Sequence, residues 1–406
     1  MDGEKIVTQA LGLLGRFERL PGFRARPQQR ELVKALVHNL DEGGQVLLEA
    51  PTGTGKTLAY LCAALCLARA RNRKLVIATG TVNLQRQLVE QELPRLEENA
   101  GAAFFHTLAK GRGRYACITR LEALAAAAEP GDLLQAQALF KEGEWNGDLD
   151  EWREPLSPHF QERAVSTRQS CPGQRCPHDA ACAFQQMRRR VLLADVVVAN
   201  HSLLLADLEL GGGRVLPPPE NCLVVVDEAH GLPRRVLAHA ERRFNPRRVL
   251  ELLRFSRELD GRLRGYHSAP RRFSSTATRT AFEQAVKIVE ELQATLLRSR
   301  FVARRMKELE QGGESDLRLL PREKVTDFLD GQGAQLLPHL EYLAGLFDDH
   351  ARWLAESGGN GGLPERLRYA WSLQVPAAQL ELERARDCWR LFLKRTLPTS
   401  RRRPAG

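Results

Sequence analysis

The stretch Glu49-Ala-Pro-Thr-Gly-Thr-Gly-Lys-Thr57 constrains this chain more than any other. It stands between a short apolar run, Val46-Leu47-Leu48, that reads as a buried strand, and Leu58-Ala-Tyr-Leu-Cys-Ala-Ala-Leu-Cys-Leu67, that reads as a buried helix. Strand, Gly-rich turn, Lys-Thr and helix in that order are the context of a phosphate-binding loop in an α/β fold with a parallel sheet. Gly53 and Gly55 let the backbone wrap with its N–H groups inward, and the helix N-terminus adds its positive dipole end. Ala50, Pro51, Thr52, Gly53, Thr54 and Gly55 then form the cradle of a nucleotide site. Lys56 reaches the β- and γ-phosphates and the Thr57 hydroxyl holds Mg²⁺. Ala50 stands where the usual pattern has its first Gly.

The 406 residues leave room for two or three domains, and 27% charged with 43% apolar residues describe an ordinary soluble protein. No signal peptide and no apolar run of membrane-spanning length are visible, so the expected compartment is the cytoplasm, without a membrane partner. The net charge of +10 is unevenly placed. Six basic residues (Arg390, Lys394, Arg395, Arg401, Arg402, Arg403) follow Asp387 with no acid among them. Bulk charge therefore does not by itself establish nucleic-acid binding.

Upstream of the loop, Phe23-Arg-Ala-Arg-Pro-Gln-Gln-Arg30 places an aromatic ring, a proline and two amides. An amide reads adenine by pairing its donor and acceptor with the base edge, which Gln28 or, preferably, Gln29 does here. Lys74-Leu-Val-Ile-Ala-Thr79 reads as a second parallel strand, with Thr79, Thr81 and Gln85 as candidate contacts to a nucleic-acid backbone. Ala103–Thr107 reads as a third strand, leading to Lys110-Gly-Arg-Gly-Arg-Tyr-Ala-Cys117. A buried parallel strand, Cys222–Val226, ends on Asp227 and Glu228. Asp227 belongs on the Mg²⁺ shell, Glu228 orients and activates the attacking water, and His230 relays to whatever lies above. Beyond 236 the pattern is helical to 395, with segments at Glu283–Glu308 and Leu336–Ala355. Breaks are expected at Pro246, 265–270, 312–313, 357–362 and Pro376. Arg271, Arg272, Arg279, Arg298, Arg300, Arg304 and Arg305 give local basic faces that read mostly as solvated surface.

Of the eight cysteines, Cys62, Cys66, Cys222 and Cys388 are scattered and read as small core residues. The other four make a pattern: Cys117, then Cys171, Cys176 and Cys182 at C-x4-C-x5-C, with Pro172, Gly173 and Pro177 bending the chain. Zinc prefers paired hooks of shorter spacing, whereas four thiolates with one remote ligand suit an iron–sulfur cluster. His178 reads as a neighbour of that site. Zinc and plain reduced thiols remain the alternatives.

In this order the parts resemble the DinG/YoaA branch of the XPD-like iron–sulfur DNA helicases. The resemblance rests on Arg26-Pro-Gln-Gln29, Glu49–Thr57, Gly111–Cys117, the three close cysteines, Val198-Ala-Asn-His-Ser-Leu203 and Val226-Asp-Glu-Ala-His230, and it runs over residues 20–240. It implies a RecA-like motor at 1–110 and 191–240, interrupted by an iron–sulfur domain at 111–190. A helical arch at 241–395 and a basic tail at 396–406 follow. It further implies hydrolysis of Mg·ATP with Lys56, Thr57, Asp227, Glu228 and His230 as catalytic residues. Gln29 and the residues from Ala50 to Thr57 bind the nucleotide, and Cys117, Cys171, Cys176 and Cys182 hold a 4Fe–4S cluster. The implied partners are single-stranded and forked or partly duplex DNA, tracked 5′-to-3′, with replication or repair proteins beside them. The expected setting is a nucleoid-associated monomer.

The family pattern has a second RecA-like domain that completes the nucleotide site and carries its arginines. This sequence instead ends within about a dozen residues of the last arch-like helix, in a basic stretch at 399–406 that reads as a truncation or a shifted reading frame. The expectation is a chain that binds Mg·ATP weakly, binds single-stranded DNA and unwinds nothing unaided, since losing an arginine finger slows phosphoryl transfer by about 10³–10⁵. The competing expectation is a non-catalytic ATP- and single-stranded-DNA-binding regulatory module.

Overall fold

A computed structural model of the chain describes residues 2–41, 43–51, 53–101, 103–126, 132–152, 160, 164–166, 171, 173–241, 244–263, 275–298, 322–356 and 365–396. The loop residue Thr52, the bend residue Pro172, and Arg271, Arg272, Arg300, Arg304 and Arg305 lie outside the described residues. So do the expected breaks at 265–270, 312–313 and 357–362, and the tail beyond 396.

Two compact units emerge. The first comprises Met1–Ile118, Ala138–Val165 and Gly173–Glu241, the second Thr119–Gln137, Ser166–Pro172 and Arg242–Gly406. Residues 111–190, expected as a domain of their own, are shared between the two.

The first unit is built on four strands, β1 (Lys74–Thr79), β2 (His106–Leu108), β3 (Val196–Asn200) and β4 (Cys222–Val226), in the order β2-β3-β1-β4. All neighbours are parallel, with Leu75 opposite Val196 and Leu223, and Ala78 opposite Ala199 and Val226. Its helices are α1 (Gly3–Glu18), α2 (Pro27–Asp41), α3 (Lys56–Ala70), α4 (Val82–Gln87) and α5 (Leu93–Ala100). Next come α6 (Ile118–Ala126) and α7 (Asp132–Lys141), which straddle the division, then α8 (Ala183–Leu193), α9 (His201–Glu209) and α10 (Leu232–Ala240).

Side chains alternate across a strand, and both faces are covered here, as parallel sheets require. Leu75, Ile77, Val196 and Val198 face a core shared with α1, α2 and α3. Val76, Ala78, Val197 and Ala199 face the opposite core, against Phe184 and Met187 of α8 and Leu203 and Leu204 of α9. Helix α1 meets the first core through Ile6, Ala10, Leu13, Leu14 and Phe17, a stripe at helical spacing. Helix α3 is apolar almost all round and is buried from Ala59 through Leu65, which seats it directly on the sheet. Short caps set two later helices. Thr81 accepts from the Leu84 N–H at 3.3 Å to begin α4, and Asn200 accepts from the Leu203 N–H at 2.7 Å to begin α9.

Three strand expectations are corrected. Val46-Leu47-Leu48 makes no ladder; Val46 and Leu48 still turn toward the core while Leu47 is 91% exposed. The chain there is extended and half-buried, without a partner strand. As a result β4 is an edge strand, with Val224 42% exposed, rather than a strand buried on both faces. The third strand begins at His106, three residues later than Ala103.

The second unit contains α11 (Pro246–Leu263), α12 (Thr276–Arg298), α13 (Arg322–Glu356) and α14 (Glu365–Thr396). Its core joins Leu253, Phe282, Val289, Leu340, Phe347, Trp371, Leu382 and Trp389. Pro246 opens α11, where its missing N–H is harmless. Helix α14 continues past Pro376, so no break falls there. Gly333 permits a close approach between α13 and α14. A Cβ on it would lie 2.4 Å from the Trp389 ring, whereas one on Gly331 meets nothing within 4 Å.

Gly333→Ala should therefore destabilise the helical unit by about 1–3 kcal/mol through overpacking. Gly331→Ala should be neutral, or stabilising by up to about 1 kcal/mol through lower unfolded-state entropy. Urea denaturation of the two variants beside the parent checks the contrast.

Candidate functional site

The phosphate-loop residues form a turn closed on itself. Gly53 and Gly55 take left-handed backbone with φ of +81° and +77°, and α3 begins at Lys56 with Gly55 as its cap. The Thr54 hydroxyl donates to the Pro51 carbonyl at 2.9 Å, and the Lys56 ammonium donates to the Ala50 carbonyl at 2.7 Å. Beneath the turn lies Gln29. It is buried while its neighbour Gln28 is exposed, which decides between the two candidates for position. Its amide Nε2 donates to the Gly55 carbonyl at 3.2 Å, and its Oε1 is buried without a hydrogen-bond partner. Only glycine fits at 55: a Cβ there would sit 1.9 Å from the Gln29 amide nitrogen.

A cavity of about 530 Å³ opens beside this turn, lined among others by Phe17, Phe23, Arg26, Gln29, Gly55 and Thr57. It offers an aromatic wall, a guanidinium and the Gln29 side chain next to a helix N-terminus. That is a donor and acceptor set suited to a nucleotide whose base enters from the Gln29 side.

Parallel pairing of β4 with β1 brings the acids to α3. The Asp227 N–H donates to the Ala78 carbonyl at 2.8 Å, continuing the ladder by one residue. The Asp227 carboxylate then receives the Tyr60 hydroxyl on Oδ2 at 3.4 Å and the Glu228 N–H on Oδ1 at 3.1 Å. Burial and the adjacent Glu228 charge push the Asp227 carboxyl above the usual carboxylate range. Hydrogen bonds from Glu228 N–H and Tyr60 and the charge of Lys56 act in the opposite direction. Burial and the same carboxylate push the Tyr60 phenol well above its usual value.

Glu228 has φ of +52°, a left-handed conformation uncommon for a residue with a side chain. Its carboxylate meets His230 Nδ1 at 3.1 Å, and that imidazole is 82% exposed. His201, read in the sequence only as part of a motif, is fully buried. Its Nε2 lies 2.8 Å from the Asp227 carbonyl, while its Nδ1 has no hydrogen-bond partner. A histidine directly after a buried strand is the only sequence trace of that contact.

The expected nucleic-acid contacts are corrected in part. Thr79 and Gln85 are buried, so neither presents its side chain to a strand of DNA, while Thr81 is exposed and caps α4. The basic run before Cys117 is largely engaged within the protein. Lys110 lies 2.6 Å from Asp148 and 3.0 Å from Asp150, Arg114 pairs with Asp150, and the Arg112 guanidinium lies over the Phe184 ring at 4.6 Å.

Cys117, Cys171, Cys176 and Cys182 are each half-buried thiols outside any disulfide. The Cys117 N–H is tied to the Ala164 carbonyl at 2.7 Å. The Cys176 and Cys182 N–H groups close turns onto Gly173 and His178 at 3.0 and 2.9 Å. Among the described residues, however, no three His, Cys, Asp or Glu side chains are grouped to hold a metal ion. The donor chemistry suits iron and sulfur. Metal-free ligand sets are rarely preformed. By contrast Cys62 and Cys222 are buried core residues, and burial pushes the Cys66 and Cys222 thiols up to about 11.

The chain is similar in sequence to several known proteins. The chain is 37% identical over 220 residues to the ATP-dependent DNA helicase DinG of Photobacterium profundum, covering 50% of this chain and 32% of that protein. It is 35% identical over 247 residues to the ATP-dependent DNA helicase YoaA of Haemophilus influenzae, covering 57% and 37%. Over about half of its length the chain is thus similar to proteins named as the ATP-dependent DNA helicases DinG and YoaA. DinG of Escherichia coli K12 agrees, with 36% identity over 239 residues, 53% of this chain and 33% of the relative. Residues 26–127 match the DEAD/DEAH box helicase family, which spans the Gln29 segment and the phosphate loop. The matches thus span about a third of the length of these relatives. Among the described residues no helix is long and apolar enough to cross a membrane.

A carboxyl titrating above its unfolded value destabilises the folded state once ionised; the favourable contribution exists at low pH and is lost as pH rises through the folded value. Asp227→Asn should therefore raise the thermal midpoint of the nucleotide-free protein at neutral pH. The gain should close as pH falls through the carboxylate range, from about pH 8 to about pH 4. Thermal melts of both proteins across that span check the sign.

Proposed function

We propose that this chain is the ATP-hydrolysing motor part of an iron–sulfur DNA helicase, moving 5′-to-3′ on single-stranded DNA and acting on forked or partly duplex DNA in repair or replication stress. The observation that carries the nucleotide half is the meeting of α3 with the end of β4, where the Tyr60 hydroxyl touches Asp227. DNA as the track is drawn from the relatives, each named as an ATP-dependent DNA helicase.

In this reading the inward N–H groups of the loop from Ala50 to Gly55 and the start of α3 hold the phosphates. Lys56 leaves the Ala50 carbonyl for the β- and γ-oxygens, and the free Oε1 of Gln29 accepts from the exocyclic amine of adenine. Thr57 and Asp227 would hold Mg²⁺, whose contribution is to neutralise charge on those phosphates. Glu228 orients a water and takes its proton as the oxygen attacks the γ-phosphorus. The bond to the β–γ bridging oxygen breaks, giving ADP and inorganic phosphate. The Glu228–His230 pair gives that proton a route to the exposed imidazole.

Cys117, Cys171, Cys176 and Cys182 are proposed as ligands of a 4Fe–4S cluster on the strength of their spacing and their chemistry. No step of hydrolysis passes through it.

Two measurements test the reading. ATP turnover by the purified chain should rise when single-stranded DNA is added, and Lys56→Ala should lower it by roughly 10²–10³, the scale of removing one transition-state contact. DNA affinity that ignores both ATP and Lys56 would favour a non-catalytic binding module. Anaerobically purified protein should be brown and contain iron with acid-labile sulfide, and Cys→Ser at 117, 171, 176 or 182 should bleach it. Zinc without sulfide would sink the cluster assignment.

A further inference from the structure

Asp227 is held from three sides before any ligand arrives. Its N–H is fixed by Ala78, its carbonyl by the buried His201, and its Oδ1 by the Glu228 N–H. Those contacts fix the backbone and one carboxylate oxygen. The other oxygen, Oδ2, faces α3 and is reached there by a single side chain, Tyr60, at 3.4 Å.

Tyr60 lies three residues after Thr57, the spacing that puts two side chains on one face of a helix. The Tyr60 hydroxyl, on a ring only 8% exposed, therefore meets Asp227 from the helix face that also carries Thr57, and Asp227 and Thr57 are the two residues assigned above to the cation. A phenylalanine would fill the same space in this apolar helix. The hydroxyl adds nothing to core packing, and a buried phenol is favourable only where it finds partners.

We propose that Tyr60 is a positioning residue for the divalent cation that accompanies the nucleotide, holding the Asp227 carboxylate against the face of α3 that carries Thr57. It does not touch the reacting atoms. It links the first turn of α3 to the end of β4, two segments 167 residues apart in sequence, through one hydrogen-bonded bridge. The inference rests on the nucleotide reading given above and adds to it the residue that pre-organises the cation's carboxylate ligand.

The test uses Tyr60→Phe in the full chain and Mn²⁺ as a probe visible by electron paramagnetic resonance. Mn²⁺ is titrated into protein saturated with a non-hydrolysable ATP analogue. Tyr60→Phe should weaken Mn²⁺ uptake about tenfold, the scale of one hydrogen bond to a charged group. Binding of the analogue in excess chelator should change by less than about twofold. The Mg²⁺ concentration for half-maximal turnover should rise in parallel with the Mn²⁺ result. Tyr60→Leu, which removes ring and hydroxyl together, should weaken Mn²⁺ uptake at least as much. Equal Mn²⁺ uptake by parent and Tyr60→Phe overturns the proposal. So does a loss of analogue affinity that is the same with and without metal, which would mark Tyr60 as packing alone. A parent protein that takes up analogue but no Mn²⁺ with it also overturns the cation role while leaving nucleotide binding standing. A parent that binds no analogue at all overturns the nucleotide reading itself, and the proposal with it.

Discussion

The register between β1 and β4 is the constraint on which the rest of the first unit depends. Because Ala78 lies opposite Val226, the next N–H, that of Asp227, falls on the Ala78 carbonyl, and the chain must turn immediately afterwards. A slip of one residue would send Asp227 to the other face of the sheet and leave Tyr60 without its acceptor. The register is in turn favoured by partial burial of this edge strand, with Leu223 and Val225 packed against the core of α3 and Cys222 and Val226 against the core of α8 and α9, while Val224 stays exposed. Chemistry at the strand end is thus a by-product of where apolar side chains must go.

Polar groups at this strand end are held to a narrow set of positions. Gln29 is tied through one amide hydrogen, His201 through one ring nitrogen, and both keep a second buried polar atom without a partner. Leaving such groups unsatisfied is unfavourable by about 1–3 kcal/mol each. Their clustering around one cavity and one carboxylate contrasts with the basic run at 110–114, where opposite charges from Asp148 and Asp150 are already in place. Positive residues that look free along the chain are neutralised by partners more than thirty positions away.

Much of this was legible in the residues. The runs at Lys74–Thr79 and Cys222–Val226 form strands where four or more apolar residues in succession announce them. The loop sits at the start of its helix, and Gln29 rather than Gln28 turns inward. What could not be read depends on partners. Val46-Leu47-Leu48 has the composition of a strand, but a strand exists only as a ladder, and no neighbour supplies one there. Pro376 has the look of a stop signal, yet the helix around it anchors Trp371, Val375 and Ala378 in a shared core, and that burial outweighs one lost hydrogen bond. Thr79 and Gln85 suggested a surface contact because they are polar, and packing buried them. Tyr60 gave no signal at all in an apolar helix; its role appears only once a strand distant in sequence is placed beside it.

The ammonium of Lys56 already has a partner in the Ala50 carbonyl, so an incoming ligand must outcompete a neutral acceptor before it gains anything. A neutral sugar or a bare base offers that ammonium no better acceptor than the one given up. A phosphate tail offers more, because both partners of the new bond then carry charge. The resting contact thus works as a threshold, favouring polyanions over all other guests before any base is read.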